Sequence, residues 1–365
     1  MVRARASTSA LASVVLPACR AMSATSHWPD GASPTSADPL MPIKKPSLCV
    51  VTPALADANN GNWQTAQRWA RLLARRWPVR LCTHWEGGDE ALMIALHARR
   101  SAESIAAWAA ADARAPLVVV LTGTDLYRDI AHDPMAQRSL ALAQSLVVLQ
   151  GLGIASLPHA HQAKARVIFQ STGTRQTLPK TARHLRVVMV GHLREEKDPL
   201  TLMAAARLLP QGSGVFIDHI GAALDPALGQ AAQATQAQCP QYRWLGALSH
   251  AQTLQRIQRA HLLVHTSRME GGAHVLMEAI CSGTPVLASR IDGNLGLLGE
   301  DYAGIFETGD AQGLADLLLA CRDQQSSAGL VAHLGHQCAL RAPLFEPQAE
   351  RAALYRWVQD LWTTR

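Results

Sequence analysis
The chain contains no Cys-x-x-Cys pair, no apolar run long enough to span a membrane, and no lysine or arginine run interleaved with aromatic residues. Each absence excludes a class. Cys19, Cys49, Cys82, Cys239, Cys281, Cys321 and Cys338 are scattered and odd in number. They read as buried thiols of a reducing, cytoplasmic compartment, not as a disulfide frame or a zinc site. A membrane-spanning helix needs about 20 consecutive apolar residues, so stable membrane insertion is not expected. Net charge is +6 with a pI near 9.1, but much of the excess comes from Arg-rich helical stretches and a basic N-terminus. Nucleic acid is therefore not an expected partner, whereas a basic cleft for an anionic small molecule suits the same charge. His159-x-His161 has metal-ligand spacing but no third ligand, so it reads as surface and no metal is expected.

What is present is a globular composition, 48% hydrophobic and 17% charged over 365 residues. That length exceeds one ordinary core and predicts two domains. Residues 1–46 stand apart. MVRARASTSALASVVLPACRAMSATS has no acid and only a short apolar patch broken by Ser and Pro, so it imitates a signal or transit peptide. The preferred reading is a disordered extension, with Met41 just before KKPSLCVVTP, where structure begins.

From Leu48 onward short β-branched runs alternate with helical stretches. LCVVTP (48–53), VRLCTH (79–84), LVVVLTG (117–123), SLVVLQ (145–150) and RVIFQS (166–171) read as strands. Helices are expected over 61–77, 101–113 and 134–144. The pattern restarts with strands at 184–191, 215–221, 242–246, 261–267, 284–289 and 303–306. Helices are expected over KDPLTLMAAARLL (197–209), near 224–237, over 250–259, from about Ala273 through Glu278, and near 310–323. Apolar runs bounded by Gly and Pro and separated by helices imply parallel strands with right-handed crossovers. The expected fold is α/β, with two doubly wound Rossmann-like domains facing a cleft. The expected boundaries are 47–175 plus 345–365 for an acceptor-binding domain and 176–344 for a donor-binding domain. The amphipathic stretch FEPQAERAALYRWVQDLW (345–362) is expected to pack back on the first domain.

One stretch carries chemistry. EGGAHVLME (270–278) follows a strand, passes through Gly-Gly and opens a helix. Free backbone N–H groups at such a helix start favour phosphate, and Gly271 and Gly272 allow close approach. Glu278, one turn inside, can accept two ribose hydroxyl hydrogen bonds, while Glu270 faces a sugar beyond the phosphates. Alone, the two acids would equally suit a helix cap and a salt bridge.

Glu-x7-Glu followed by AICSGTPVLAS resembles the donor signature of retaining GT-B glycosyltransferases of family four. VGHLREEKDP (190–199) resembles that family's phosphate-binding turn, and FEPQAERAALYRWV its closing helix. The resemblance implies that Lys197 binds the donor diphosphate over the backbone of Gly272, Ala273, His274 and Val275. It also implies that the Gly246-Ala247-Leu248 loop borders the base, expected to be uracil. Departures are plain. The usual Arg after the glycine is His192, which leaves the donor phosphate either to Arg194 or to a weaker contact from His192 itself, and Gly-Phe-Gly-Leu is Gly-Gly-Ala-His. His-Gly-x-Asp is Thr122-Gly-Thr-Asp125, and the acceptor loop Asn59-Asn-Gly-Asn-Trp-Gln64 has one glycine instead of two.

NGNWQTAQRW and LTGTDLYRD are similar to the selenosugar synthases of selenoneine biosynthesis, which join selenophosphate to a UDP-sugar, typically UDP-N-acetylglucosamine. That resemblance implies functional coupling to selenophosphate-producing and selenoneine-forming enzymes. An anionic selenium nucleophile arrives ionised, so it needs hydrogen-bond donors rather than a base. Asn60, Gly61, Asn62, Trp63, Gln64, Thr124 and Arg128 are the candidates. Glu270, Lys197 and Asp125 are the candidate catalytic residues, with Asp125 orienting sugar or acceptor. No cofactor is expected. Two other readings stay open: an O- or S-glycosyltransferase on a UDP-sugar, and, from another class, a UDP-sugar epimerase.

Overall fold
The structure, a computed structural model, describes residues 46–53, 61–325 and 328–363. Asn60 and almost all of the extension expected over 1–46 lie outside the described residues. The N-terminal half carries β1 (Leu48–Val51), β2 (Val79–Cys82), β3 (Leu92–Leu96), β4 (Leu117–Leu121), β5 (Ser145–Val148) and β6 (Ala165–Val167). All pair in parallel in the order β2-β1-β3-β4-β5-β6. The C-terminal half carries β7 (Leu185–Val190), β8 (Val215–Ile220), β9 (Tyr242–Trp244), β10 (Leu262–His265), β11 (Val286–Ser289) and β12 (Ile305–Phe306). Their parallel order is β12-β11-β10-β7-β8-β9. Both sheets are doubly wound, with a reversal of strand order between β1 and β3 in the first and between β7 and β10 in the second. Ligands bind beyond the strand C-termini at such reversals.

The sequence reading misses β3, which lies between β1 and β4 with all five residues buried. LMIAL contains a single β-branched residue among good helix formers, so its local preference is ambiguous, and burial on both faces decides it. Most strands also stop short of their expected ends, because residues such as Thr122-Gly-Thr and Ser267 leave the ladder to form bends. The helix expected in the stretch KDPLTLMAAARLL begins at Pro199, so Lys197 closes a 3₁₀ turn (Glu195–Lys197) ahead of it.

Each sheet has its own core. Leu185, Met189, Leu202, Ile217, Leu276 and Leu318 belong to the C-terminal one. The two faces of the N-terminal sheet are covered separately, one around Ile105, Trp108 and Leu140 and the other around Trp69. The last helix, Pro347–Thr363, adds Leu354, Trp357 and Val358 to that second face, with Trp69 and Trp357 edge to face at 6.2 Å. Glu350 on this helix is 1% exposed and accepts from Trp69 Nε1 at 2.7 Å, Arg68 Nε at 3.0 Å and the Ser171 amide at 3.0 Å. One buried carboxylate thus pins the last helix to the first helix (Gly61–Leu73) and to the chain leaving the N-terminal sheet. Among the described residues no helix is long and apolar enough to cross a membrane.

Candidate functional site
The strands β7 and β10 flank the reversal in the C-terminal sheet, and each ends in a bend that brings chemistry. After β7, Asp198 adopts a left-handed conformation (φ 43°) that turns the chain sharply into the next helix. The Thr266 hydroxyl donates to the Lys197 carbonyl at 2.8 Å, and the Arg268 amide donates to the Glu196 carbonyl at 2.9 Å. These bonds stitch the 194–198 turn to the bend after β10 and set the Lys197 ammonium directly on Glu270 Oε1. Ser267 Oγ donates to the same oxygen at 2.9 Å, and His265 Nε2 stands 3.6 Å from it. Burial opposes the charge on Glu270, but Lys197 and His265 outweigh it and hold the carboxyl well below the usual range. Lys197 is thus a largely buried cation with an anion behind it.

Beyond Glu270, the helix His274–Ile280 begins at Ala273 without a side-chain cap, which leaves its first-turn amides to an outside acceptor. Glu278 is 6% exposed and binds two imidazoles: His250 Nε2 at 2.7 Å and His274 Nδ1 at 3.2 Å. Burial again opposes ionisation, yet the two histidines bring its pKa down to about 2. His274 therefore acts through its side chain as well, because its Nε2 also meets the Ser171 carbonyl at 3.1 Å across the two halves. His250 opens the helix His250–Arg259 directly after the Gly246-Ala247-Leu248 loop, which places that loop beside Glu278.

His192 follows β7 and accepts the Ala222 amide on Nδ1 at 3.1 Å. Burial, then Arg194 and Lys197, push its pKa down, so Nε2–H is the free donor. Arg194 is half exposed with its guanidinium 3.8 Å from Glu196. The basic groups expected around a diphosphate thus lie on one turn, while Gly271 and Gly272 pack against Thr122, Gly123 and Leu149 of the N-terminal half.

On the N-terminal side the bend after β4 departs from expectation. Asp125 is wholly buried, and its carboxylate accepts the amides of Ala98, Thr122 and Gly123, each at 2.9 Å. It shapes the Thr122-Gly-Thr bend and has no face left for a ligand, which corrects its expected contact with sugar or acceptor to a positioning task. Thr124 is half-buried and bonds His97 Nε2 at 3.1 Å. Arg128 is half exposed and pairs with Asp129 at 3.2 Å. Gly61, Asn62, Trp63 and Gln64 form the first turn of a helix rather than an open loop. That turn carries no acidic residue.

The halves meet at these bends. A Cβ on Gly123 (φ 143°) would stand 3.0 Å from the Gly271 nitrogen, and one on Gly272 would stand 2.8 Å from Leu149 Cβ. Ser156 and Asp292 bond across the same border at 3.4 Å. Among the described residues no group of three or more His, Cys, Asp or Glu is placed to hold a metal ion. Sequence reasoning missed His97, His250, His265 and Ser267. His250 hides inside an ordinary capping box with Ser249 and Gln252, while His97 and His265 sit at the ends of buried apolar runs, the one available signal.

Residues 172–328 match the family model described as glycosyl transferases group 1. Solved structures share the architecture. Sucrose-phosphate synthase from Thermosynechococcus elongatus is 17% identical over 88% of this chain and 100% of its own, with a TM-score of 0.68. HepE of Anabaena, in complex with UDP and glucose, is 17% identical over 88% of this chain and 100% of its own, at 0.66. The pneumococcal O-GlcNAc transferase GtfA, in complex with UDP and GlcNAc, is 16% identical over 74% of this chain and 57% of its own, at 0.55. Identities this low establish the fold alone. The two facing sheets have the GT-B architecture of these solved structures, and residues 172–328 are similar to the group 1 glycosyl transferases.

Proposed function
We propose that the protein is a glycosyltransferase that takes a UDP-sugar as donor and selenophosphate as acceptor, making it a selenosugar synthase. The observation that carries the donor half is the contact of Lys197 with Glu270, which unites two bends at the reversal of strand order. UDP in the HepE and GtfA structures supports the nucleotide. In this reading the diphosphate lies between Lys197, Arg194 and the first-turn amides of Ala273, His274 and Val275. Glu278 exchanges its imidazole partners for ribose hydroxyls, and the loop at Gly246 borders uracil.

Chemistry follows from where charge develops. Breaking the bond between C1 and the β-phosphate oxygen leaves an oxocarbenium-like sugar and adds negative charge to the departing UDP. Lys197, Arg194, the His192 Nε2–H and the helix amides stabilise that charge more than the ground state, which accelerates the step. Glu270 holds Lys197 in place and lies on the sugar side of the phosphates. Selenium then bonds to C1, and water cleaves the phosphorus–selenium bond to give the selenosugar and phosphate. Asp125 spends its carboxylate on backbone amides, which suits an acceptor that arrives already ionised.

The test is one incubation of the full chain with UDP-N-acetylglucosamine, with and without selenophosphate, followed by mass spectrometry. A selenium-containing hexosamine and UDP in equal amounts are expected. UDP release equal to the acceptor-free control overturns the proposal. An altered sugar on intact UDP without acceptor would make the protein an epimerase.

A further inference from the structure
His97 is a buried residue that the mechanism above does not use, and its geometry is unusual. It ends β3, one of the two strands astride the reversal in the N-terminal sheet, and has a positive φ of 73°. Residues carrying a Cβ seldom adopt that conformation, and when they do at a strand end beside a cleft the surroundings enforce it. Here the enforcement is visible. The His97 amide donates to the Val120 carbonyl at 2.8 Å, and the next amide, Ala98, donates to Asp125 at 2.9 Å. The imidazole, 1% exposed, is turned against the Thr122-Gly-Thr-Asp125 bend.

Its surroundings decide which nitrogen carries the proton. The Arg100 amide donates to Nδ1 at 3.3 Å, so Nδ1 is an acceptor. Asp125 Oδ2 stands 3.9 Å from Nδ1, beyond hydrogen-bond reach. Burial is the main force keeping the ring neutral, with Arg100 and Arg99 acting in the same direction against Asp125 and Asp129. The single proton therefore sits on Nε2, 3.1 Å from Thr124 Oγ1 and 3.9 Å from Asp129 Oδ2. Nε2–H donates to the Thr124 hydroxyl, whose own hydrogen then has to point elsewhere. Thr124 Oγ1 bonds no other group among the described residues, and its neighbour Gly123 abuts Gly271 across the cleft.

We infer that His97 is a positioning residue that, as the Nε2-protonated tautomer, fixes the Thr124 hydroxyl as a hydrogen-bond donor to an oxyanion of the acceptor. The inference deepens the reading of an anionic acceptor and rests on it. His97 itself touches no reacting atom. A tautomer inverted to Nδ1–H would leave Nε2 accepting from Thr124, and the hydroxyl would be lost to the acceptor.

Two measurements test this on the full chain. Long-range nitrogen-15 NMR of histidine-labelled protein, with the His97 signal assigned by its loss in His97→Gln, is expected to show a neutral Nε2-protonated ring. An Nδ1-protonated or imidazolium ring near neutral pH overturns the inference. Calorimetric titration of inorganic phosphate into UDP-saturated protein supplies the second. Thr124→Val and His97→Asn are each expected to weaken phosphate about tenfold, with non-additive effects when combined and UDP affinity unchanged. His97→Gln, whose amide nitrogen reaches the Nε2 position, is expected to retain most of the affinity, which a merely structural role would not predict. Phosphate affinity unchanged in Thr124→Val, or absent from the wild-type protein, also overturns it. Thr124→Val and wild-type NMR keep the test open should a His97 variant fail to fold. If phosphate binds as expected yet selenophosphate yields no product, the proposed reaction fails and the positioning role stands.

Discussion

Glu278 shows how much one residue can reveal and conceal. Its spacing from Glu270 and its place one turn into a helix mark it in the sequence, but its partners do not. His250 lies 28 positions away and meets it only because the helix His250–Arg259 packs beside the helix His274–Ile280. Asp125 is equally visible, but no spacing tells that its carboxylate closes on three amides from two strand ends. Replacing Glu278 by Gln removes a charged acceptor worth roughly 1.5–3 kcal/mol. UDP affinity measured by calorimetry is expected to fall at least tenfold, with the melting temperature within a few degrees of wild type. His219 offers a residue-scale test of pH. It is fully buried, bonds the Tyr242 hydroxyl at 2.8 Å, and burial pushes its pKa down to about 4 from an ordinary 6.5. The unfolded chain takes up that proton below about pH 6.5 while the folded one does not, so stability is complete above that pH. It declines on acidification towards pH 4, by an amount on the order of 3 kcal/mol from this group. Denaturant melts at pH 7 and pH 4.5 are expected to show that loss in wild type and a smaller one in His219→Gln.

At the scale of elements, alternation of apolar runs and helices made most of both sheets legible. Strands rich in Val and Ile such as LVVVL are recognisable because both faces are buried in a parallel sheet. β3 escaped because LMIAL has the composition of a helix, and only its neighbours β1 and β4 force it to extend. The short helix Asp292–Leu298 escaped for the opposite reason: its two glycines argue against a helix, yet they allow close approach to Glu270 and Gln150. The final helix was legible from its apolar stripe, but its buried anchor was not. Glu350 looks like a solvent-facing acid, whereas its carboxylate binds Trp69, Arg68 and Ser171, the last through both amide and hydroxyl. Glu350→Ala leaves these donors without their acceptor and is expected to destabilise the protein by about 3–5 kcal/mol in a chemical melt. A loss under 1 kcal/mol would mean that apolar packing of Leu354 and Trp357 alone holds the helix.

At the scale of the whole molecule, the proposed site requires two sheets presenting their strand C-termini to each other. The Thr122-Gly123 bend and the Gly271-Gly272 bend touch through backbone, and a side chain on Gly271 would collide with the Thr122 carbonyl. Such a collision cannot be relieved by a rotamer change, so the halves have to separate. Gly271→Ala is therefore expected to lower turnover at least tenfold and to raise the radius of gyration in small-angle scattering, with UDP affinity reduced much less. In the proposed donor site Lys197 is the central group, since it is the cation held where the strand order of the second sheet reverses. Calorimetric titration of UDP into the wild-type protein and into Lys197→Met tests this most directly. Micromolar binding to wild type that weakens at least tenfold in the variant is the result expected. No binding to wild type, or equal affinity for both proteins, would contradict a diphosphate site at Lys197.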